Sequence, residues 1–478
     1  MVRAALVVGL VAALYGNTLP NDFVWDDRLV ALAPPPLSRL LVERTGAYYR
    51  PLVMLSFHAD RALWGARPAG YHATNLFAHA AVAVLVGELA AAVGAGPGAA
   101  LAAALVVAAH PVETDAVSYV SGRTDVLCAL GVLVALLLWR RARRWWDAYA
   151  VASAVAFGAA LLCKEAAAPM AVVWLLPGAH PARPAPRPVL VLATAACWTA
   201  RFLATGGMPE VAGSLVARAP GIVMVAASYV GLLVWPWPLH VERFVSVAWP
   251  PAALAGGSLV VLAALGGLVA AARRAPAGWM LLGLVLAAYA PASGLVPVYP
   301  AIADRWLFAP EHFLYLPLLG LAPLVCGALA RALPVRLRPL AAVAFGALLA
   351  AWSLVVIDRN RDWRSEAVLF RDAIVYEPPT SRIWFNLANL ELAAGRLDDA
   401  VFFYEQAIAR APNDAAAHLN LGIARQRQGR LDDAERAYRR VLALEPGRDD
   451  VGRALAAIAA LRHASGAAAP GGSPPPSE

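Results

Sequence analysis

The chain has 478 residues, of which 60% are hydrophobic and only 15% are charged, and its mean hydropathy is +0.60. A soluble globular domain is about 45–50% apolar and about 25% charged, so this composition excludes an ordinary soluble protein and is typical of a polytopic membrane protein. The formal net charge of +8 does not indicate a nucleic-acid partner. Arginine clusters such as 140–144 stand at the ends of apolar spans, where they orient a membrane protein.

Apolar runs of the first 357 residues are long enough to cross a bilayer, which takes about 20 mainly apolar residues. Residues 1–19 carry one arginine and no small-x-small cleavage site before Asn21, so we interpret them as a retained first helix rather than a signal peptide. The runs predict an all-α membrane helix bundle. The candidate spans are 2–19, 73–93, 97–110, 124–140, 145–163, 166–178, 187–204, 219–236, 252–271, 278–297, 313–331 and 336–357.

Arginine clusters predict the orientation of these spans, because cytoplasmic loops carry an excess of Lys and Arg. If the clusters are cytoplasmic, the long loop 20–72 and the loop 110–123 lie on the outer side. The clusters are 140–144, 273–274 and 331–338.

The number of spans follows from the same rule. Five candidate spans lie between the clusters 140–144 and 273–274, and an odd number would put these clusters on opposite faces. One candidate is therefore not a full crossing, and we choose 166–178, which contains Pro169 and stops at Pro177. Eleven crossings result, which place the C-terminal part of the chain on the outer side. The other two candidates for the segment that does not cross are 187–204 and 219–236.

The segment from Phe23 to Asp27 places two adjacent carboxylates, Asp26 and Asp27, directly after the first span. A charged pair in such a loop is usually a solvated surface feature. Here aromatic residues flank the pair, and the loop continues into Arg50 and then into the polar start of the second span. Carboxylates at a membrane surface, followed by a cation and by polar residues that enter an apolar helix, favour chemistry on a lipid-linked phosphate.

Further polar residues interrupt or flank apolar spans on the same predicted side. Ionisable residues within a membrane are costly, so they usually face a cavity or a charged partner. Each one alone is explained as well by a snorkelling side chain or an ion pair. Together with the two aspartates, they predict a polar cavity at the outer membrane surface. The residues predicted to line it are His79, His110, Glu113, Asp115, Asp125, Glu165, Glu311 and His312.

Group transfer from a lipid phosphate needs a carboxylate that accepts a proton from the acceptor hydroxyl, and Asp26 or Asp27 suits this role. It also needs cations that stabilise the leaving phosphate. Arginine offers bidentate contacts to phosphate and lysine a point charge. Candidates for this second role are Arg50, Arg123 and Lys164.

Metal binding is a weaker interpretation of the same loops. His110, Glu113 and Asp115 could hold a divalent ion, but their spacing is too loose for a metal motif. The four cysteines lie within or beside apolar spans without a CxxC spacing, so we expect neither a disulfide framework nor a zinc site. They are Cys128, Cys163, Cys197 and Cys326.

After the last span, charged residues and amphipathic periodicity replace apolar runs. Self-comparison aligns identical Gly-Arg-Leu-Asp-Asp-Ala segments at 395–400 and 429–434, and at the same offset it aligns Tyr404 with Tyr438. A period of about 34 residues with such small and aromatic positions is the tetratricopeptide pattern. With a partial repeat before them and a capping helix at 449–463, they predict a short α-solenoid of about three units.

The chain therefore divides into three parts: a membrane domain at 1–357, a repeat domain at 358–463 and a tail at 464–478. The tail is rich in Gly, Pro and Ala and is predicted to be disordered. Repeat arrays of this kind bind peptides or docking partners along a concave face. A packing module for the membrane domain is an equally good interpretation.

Several short motifs occur in a particular order before the repeats: FVWDD, YRPL, YHATNLFAH, HPVETDAVSYVSGRTD, CKE and EHFLYLPLLG. This order, together with the repeats, resembles the transmembrane and tetratricopeptide-repeat-containing O-mannosyltransferase family. The resemblance extends over nearly all of the chain up to about residue 463. It implies a GT-C glycosyltransferase fold, in which outer loops of a membrane helix bundle build the catalytic site.

The resemblance also implies a polyprenyl-phosphate sugar donor, mannose in the eukaryotic members, and a Ser or Thr acceptor in a protein. Asp26 and Asp27 then form the acidic motif of the first outer loop, and the repeats belong on the same outer side. Where the family pattern has Glu-Arg before LYLP, this chain has Glu311-His312. Arg305, shortly upstream, could supply the missing cation for the donor phosphate.

We therefore predict a membrane glycosyltransferase that moves a hexose from a polyprenyl-phosphate donor to a protein Ser/Thr or another extracytoplasmic acceptor, with inversion at the sugar carbon. Two alternatives stay open. The chain could be a non-catalytic scaffold that recruits partners through its repeats, or a transporter of lipid-linked precursors. The composition, rich in Ala, Arg and Pro, predicts a bacterial inner membrane protein with a periplasmic repeat domain.

Overall fold

The computed structural model describes residues 1–40, 49–144, 146–179, 214–295 and 305–467, together with Thr194 and Ala196. Within these residues the chain is built from α-helices, short 3₁₀-helices and one two-stranded sheet. It divides into two compact units, Met1–Leu369 and Phe370–Glu478. The mainly helical chain with tetratricopeptide repeats agrees with the expected fold class, apart from this small sheet.

The α-helices of the first unit start in many cases with proline in the first turn, where its missing N–H costs nothing. Pro51, Pro68, Pro97 and Pro251 occupy such positions. The helices are α1 (Val2–Tyr15), α2 (Asp27–Val30), α3 (Pro51–Trp64), α4 (Pro68–Ala92), α5 (Pro97–Ala109), α6 (Thr114–Ser118), α7 (Arg123–Trp139), α8 (Ala148–Cys163), α9 (Leu215–Val234), α10 (Pro251–Arg274), α11 (Gly278–Tyr289), α12 (Tyr315–Ala332) and α13 (Arg338–Asp362).

Short 3₁₀-helices and a small sheet connect these helices. Strands β1 (Phe244–Ser246) and β2 (Trp306–Phe308) pair antiparallel, with Val245 opposite Leu307. The 3₁₀-helices are Gly16–Thr18, Leu37–Arg39, Pro111–Glu113, Val120–Gly122, Glu165–Leu175, Ala290–Ala292, Glu311–Leu314 and Val335–Leu337.

Among the described residues, six helices are long and apolar enough to cross a membrane. A seventh span results if the pair Pro97–Ala109 and Pro111–Ser118, which is bent by 49°, counts as one. The predicted number of eleven spans is therefore not confirmed. The six helices are Pro68–Ala92, Val120–Trp139, Leu215–Val234, Pro251–Arg274, Glu311–Ala332 and Val335–Asp362.

The arginine clusters meet at one end of the helix bundle, which we call the arginine end. Arg140 donates hydrogen bonds to the carbonyls of Ala92 at 2.7 Å and Gly178 at 2.6 Å. Arg331 donates to the carbonyl of Arg274 at 2.8 Å. The clusters thus share one face, as the orientation rule requires. The opposite end carries Asp26 and Asp27 and is called the acid-motif end.

The segment that we expected not to cross, 166–178, connects these two ends. It forms a 3₁₀-helix, Glu165–Leu175, whose first residue is paired with Arg50 at the acid-motif end. The carbonyl of Gly178 accepts its hydrogen bond from Arg140 at the arginine end. The segment is nevertheless shorter than the six candidate spans, so its exclusion from the crossings stays a prediction. A 3₁₀-helix rises about 2.0 Å per residue, so a short apolar run covers more distance than it would as an α-helix.

Helix α9 contacts the acid-motif end near both of its termini. Arg218, in its first turn, donates to the carbonyl of Gly294 at 2.7 Å, just after α11 ends. The carbonyl of Leu233, in its last turn, is hydrogen-bonded to Nε2 of His110 at 3.2 Å. These two hydrogen bonds, near the two termini of the helix that contains the predicted span 219–236, both lie at the acid-motif end.

The second unit consists of helix pairs. Helix α14 (Glu366–Ile374) runs across the boundary between the units. The other helices are α15 (Arg382–Ala393), α16 (Leu397–Arg410), α17 (Ala415–Arg427), α18 (Leu431–Leu444) and α19 (Asp449–Ala467). The pairs turn at Gly395 and Gly429, whose φ angles of 76° and 77° favour glycine. These turns fall in the two identical hexapeptides, so the period found in the sequence is the period of the helix pairs.

The small and aromatic positions of the repeats pack against each other. Tyr404 and Tyr438 are buried, and a Cβ atom added at Gly422 would lie 2.5 Å from the Tyr438 ring. The hydroxyl of Tyr404 donates to Oδ1 of Asn389 at 2.6 Å, and that of Tyr438 donates to Oε1 of Gln426 at 2.8 Å. Each aromatic ring thus fixes the distance between the two helices of its pair.

Candidate active site at the acid-motif end

The two aspartates of the acid motif have different environments. The side chain of Asp27 is fully buried. Its Oδ2 accepts a hydrogen bond from the backbone N–H of Val24 at 3.1 Å, and its Oδ1 accepts from the N–H and the hydroxyl of Ser121 at 2.8 and 2.6 Å. Asp26 is exposed. Asp27 therefore ties the first outer loop to the segment before α7, whereas Asp26 faces outward.

Burial also sets the ionisation of the inner aspartate. Removal from water raises the pKa of Asp27 to about 7, because burial disfavours the charged form. The hydrogen bonds from Ser121 and Val24 and the charge of Arg123 oppose this rise. The Asp27 carboxyl therefore changes its charge close to neutral pH.

Arg123, one of the predicted phosphate ligands, is buried and surrounded by acceptors. Its Nε donates to Oδ1 of Asn75 at 2.9 Å and one Nη to the carbonyl of Tyr71 at 3.0 Å. It forms an ion pair with Asp60 at 2.6 Å, and its guanidinium lies 4.5 Å from the centre of the Phe57 ring. These contacts join α3, α4 and α7. Arg123 thus links the three helices around the site through its buried guanidinium.

Lys164 lies closer to the acid motif than its position in the sequence suggests. Its Nζ is 2.6 Å from Oδ1 of Asp125 and 5.5 Å from the centre of the Phe313 ring. Asp125 stands in the first turn of α7, one helical turn after Ser121, which holds Asp27. The structure therefore places the ammonium group and the acid motif at the same helix terminus.

Arg50 and Arg305 are the other two predicted cations. Arg50 precedes α3 and forms two hydrogen bonds with the carboxylate of Glu165, at 3.0 and 3.3 Å. Both side chains are partly exposed, 16% for Arg50 and 27% for Glu165. Arg305 is exposed, and its backbone carbonyl accepts from the N–H of Val247 at 3.0 Å beside the small sheet. Arg50 thus pairs with the residue that directly follows Lys164 in the chain.

The loop before α12 contacts the short helix α6. Nδ1 of His312 lies 2.6 Å from Oδ2 of Asp115. Glu311 accepts hydrogen bonds from the backbone N–H of His240 at 2.6 Å and from Arg243 at 3.1 Å. Two of the predicted cavity residues thus have partners from other loops, and Arg243 is a cation that the sequence motifs did not single out.

Three further predicted residues are buried inside the bundle. His79 Nδ1 lies 2.8 Å from the hydroxyl of Tyr315, and His110 is bonded to the carbonyl of Leu233. Neither carboxylate oxygen of Glu113 has a hydrogen-bond partner among the described residues. The described part of the chain also contains no group of three His, Cys, Asp or Glu side chains able to hold a metal ion. His110, Glu113 and Asp115 thus do not converge.

The last turn of α13 contacts the end of α1, the loop after it and α6 through Asn360. Nδ2 of Asn360 donates to the carbonyl of Leu14 at 2.9 Å and to Oδ1 of Asn17 at 2.8 Å. Its Oδ1 accepts from the hydroxyl of Ser118 at 2.7 Å, and its carbonyl accepts from Nδ2 of Asn21 at 3.0 Å. Sequence reasoning missed this residue. An asparagine at the end of an apolar helix was the available signal.

Comparison with protein-family models identifies the C-terminal repeats. Two models described as tetratricopeptide repeat match residues 359–415 and 391–458. They cover the helix pairs α15 to α18, so the predicted repeats are confirmed.

Comparison with curated proteins gives relatives for about a third of the chain. It is 35% identical over 176 residues to Protein O-mannosyl-transferase Tmtc1 of Drosophila melanogaster, covering 33% of this chain and 20% of the relative. It is 33% identical over 201 residues to Protein O-mannosyl-transferase TMTC4 of Homo sapiens, covering 34% and 27%. Protein O-mannosyl-transferase Tmtc2 of Drosophila melanogaster is 33% identical over 183 residues, covering 33% and 19%.

These relatives confirm the resemblance drawn from the sequence motifs. The matches cover only 19% to 27% of the length of the three relatives. They establish a multi-pass membrane protein with tetratricopeptide repeats that is homologous to proteins named O-mannosyl-transferases.

Proposed function

From this homology to the protein O-mannosyl-transferases, we propose that the chain is a membrane glycosyltransferase of the GT-C type. It moves a mannose-like hexose from a polyprenyl-phosphate donor to a protein Ser/Thr or another extracytoplasmic acceptor. The observation that supports this most is the acid motif, in which a buried Asp27 holds an exposed Asp26 next to the helix terminus that carries Lys164.

Asp26 is the catalytic carboxylate of this proposal. Its carboxylate accepts the proton of the acceptor hydroxyl while the hydroxyl oxygen forms a bond to the anomeric carbon. The bond from that carbon to the phosphate oxygen breaks, and the electron pair leaves with the polyprenyl phosphate. Attack opposite the leaving group inverts the configuration at the sugar carbon. Asp27 does not contact the substrate and positions the loop that carries Asp26.

The leaving phosphate gains negative charge, so cations near it stabilise the transition state. Arg50 and Lys164 suit this role, because Arg50 is partly exposed and Lys164 is held by Asp125 in the first turn of α7, one helical turn after Ser121. Glu165 and Asp125 hold the two cations in position before the donor binds. Arg305 is an additional exposed cation, whereas Arg123 acts as a positioning residue.

In this proposal, the acid motif and the repeats lie on the same, outer side of the membrane. Helix α13 starts after the arginine end, and Asn360 in its last turn contacts Leu14 and Asn17 at the acid-motif end. The repeats follow α13 in the chain, which favours their location on the same side as the acid motif. In a bacterial inner membrane, this side is the periplasm. Eleven crossings are compatible with this arrangement and stay a prediction.

Transfer in membranes that contain the full chain tests the proposal directly. Radiolabelled polyprenyl-phosphate hexose is supplied, and label is followed into protein and lipid fractions. We expect transfer by the wild type, loss of transfer in Asp26→Asn, and normal transfer in Asp358→Asn, an exposed carboxylate paired with Arg361. No transfer from several donors by folded wild-type protein would overturn the proposal and favour a scaffold that recruits partners through its repeats.

A further inference from the structure

Trp25, the residue before Asp26, has a backbone conformation that is rare for a large side chain. Its φ angle is 55°, in the left-handed region. Bulky residues are held in this region only when the surrounding structure demands it, and such positions cluster at functional sites. Val24 and Asp27 are buried, whereas Trp25 is partly exposed and Asp26 is exposed. The backbone thus turns these two side chains outward together.

A row of aromatic rings fixes the indole of Trp25. Its ring centre lies 6.5 Å from that of Tyr119, with an angle of 40° between the planes. Tyr119 stacks on the buried ring of Trp363 at 5.3 Å and 23°. The hydroxyl of Tyr119 also accepts a hydrogen bond from the backbone N–H of Asp26. One residue, Tyr119, therefore positions both the indole and the proposed catalytic carboxylate.

Two other exposed tryptophans of the first unit have no such ring contact among the described residues. Trp235 and Trp237 are 72% and 58% exposed and belong to the connection after α9. Tryptophans of that kind are common at membrane–water interfaces, where their amphipathic rings lie among the lipid head groups. Trp25 differs because it adjoins the acid motif and because rings from two other segments hold it.

We propose that Trp25 stacks against the hexose ring of the donor and selects the sugar. A hexose has faces of C–H groups with a slight positive charge, and the face of an indole is negative, so the two attract each other when the indole is held still. A ring adjacent to the catalytic carboxylate places the sugar carbon where the acceptor oxygen must attack. This inference rests on the proposed glycosyl transfer and adds the residue that binds the sugar.

Two substitutions separate the ring of Trp25 from its backbone. Trp25→Gly retains the left-handed conformation, because glycine adopts it readily, but removes the indole. Trp25→Phe retains an aromatic face. Loss of an aromatic contact corresponds to about a tenfold change in binding. We expect the donor KM to rise about tenfold in Trp25→Gly, with an unchanged acceptor KM, and to rise less in Trp25→Phe.

Matched controls make the kinetic test decisive. Trp235→Ala removes an exposed indole elsewhere at the same end and should leave both KM values unchanged. A donor KM in Trp25→Gly equal to that of the wild type would overturn the inference. A rise confined to the acceptor KM would also overturn it, because the indole would then contact the acceptor.

Cross-linking separates failure of this inference from failure of the proposed transfer. Wild-type protein in lipid nanodiscs is illuminated with a polyprenyl-phosphate hexose that carries a diazirine on the sugar, and the labelled peptide is mapped by mass spectrometry. We expect label at Trp25 and its loss in Trp25→Gly. If the wild type transfers hexose but the label lies elsewhere or is absent, sugar stacking fails alone. If the label lies at Trp25 without any transfer, the sugar site stands and the catalytic proposal fails.

Discussion

At the scale of single residues, the difference between Asp26 and Asp27 is the main result of the structure. Both are acidic and adjacent, but one carboxylate receives three hydrogen bonds in a buried position and the other is exposed. Because the Asp27 carboxylate is buried and accepts these hydrogen bonds from the protein, a substrate hydroxyl does not reach it. The exposed carboxylate of Asp26 is accessible to an acceptor hydroxyl. Substitution of the two aspartates should therefore lower kcat by different amounts.

Substitution of each aspartate by asparagine tests this difference. We expect Asp26→Asn to lower kcat by about 10²–10⁴-fold, because the proton acceptor is lost. Asp27→Asn retains the shape and one acceptor oxygen, so kcat should fall only about tenfold as the loop loosens. Initial rates at saturating donor measure both effects. A larger loss in Asp27→Asn than in Asp26→Asn would reverse the two roles.

The pH dependence of transfer should report on Asp27. Its pKa of about 7 means that the carboxyl takes up a proton as the pH falls through 7, which removes acceptor capacity toward Ser121 and Val24. The rate should therefore fall on the acid side with a midpoint near 7. Ser121→Ala removes a hydrogen bond that favours the charged form, so the midpoint should move to higher pH.

The variant Asp27→Asn is the control for this pH effect. It has no carboxyl at this position, so its rate should lack the decline near pH 7. A pH–rate profile of kcat with the same midpoint in Asp27→Asn and in the wild type would assign the decline to another group.

The buried pair of Lys164 and Asp125 requires a double substitution. Lys164→Met alone leaves Asp125 buried without its cation, which destabilises a protein by about 3–5 kcal/mol. The double variant Lys164→Met/Asp125→Leu removes both charges and should recover folding. We expect transfer to stay low in it, because the cation for the leaving phosphate is absent. Full recovery of transfer together with folding would make the pair purely structural.

At the scale of elements, glycines show which helix contacts are tight. Gly422 in α17 faces the ring of Tyr438, whereas a Cβ atom at Gly452 in α19 would meet nothing within 4 Å. Gly422→Ala should therefore destabilise the repeats by about 1–3 kcal/mol through overpacking. Gly452→Ala should stabilise its helix by about 0.5–1 kcal/mol, because glycine is the more flexible residue in the unfolded chain.

Hydrogen exchange of the full chain measures these two changes locally. Faster exchange of the amides in α17 and α18 is expected for Gly422→Ala, and slower exchange in α19 for Gly452→Ala. Equal exchange in Gly422→Ala and wild type would show that the Tyr438 ring moves aside at no cost.

Contacts of two apolar segments bear on which of them crosses the bundle. The run at 166–178 contains a proline and is short, which predicts a segment that does not cross. Its 3₁₀ geometry lets it extend from Arg50 to Gly178. In contrast, α9 has the length and hydropathy of a span, and contacts to Gly294 and His110 keep it near the acid-motif end. Apolar length alone does not distinguish these cases.

At the scale of the whole molecule, the two ends of the bundle have opposite character. Arginine clusters meet at one end, and the acid motif with its ion pairs lies at the other. An alkaline phosphatase reporter fused after residue 462 should be active in a bacterial host, and one fused after Arg143 should be inactive. Activity of both fusions, or of the second alone, would contradict the proposed orientation.

The sequence by itself determined the class of the protein. Apolar runs identify membrane helices because no polar backbone group can stay unpaired in lipid. The regular spacing of the two hexapeptides identifies the repeats, since each helix pair must present the same small and aromatic positions to the next. The ordered motifs from Asp26 to Glu311 also indicated the resemblance to the O-mannosyl-transferases that the curated relatives support. These features are local or periodic, so they can be read along the chain.

Only the tertiary structure decided what each polar residue does. The partners of Asp27, Lys164 and Arg123 are Ser121, Asp125 and Asp60, each of which belongs to a distant segment of the chain. Whether a carboxylate is buried or exposed depends on such partners, because burial without them is too costly. The chain alone therefore lists the polar groups of the acid-motif end, and the packing of helices from distant segments decides which of them are buried and which are exposed.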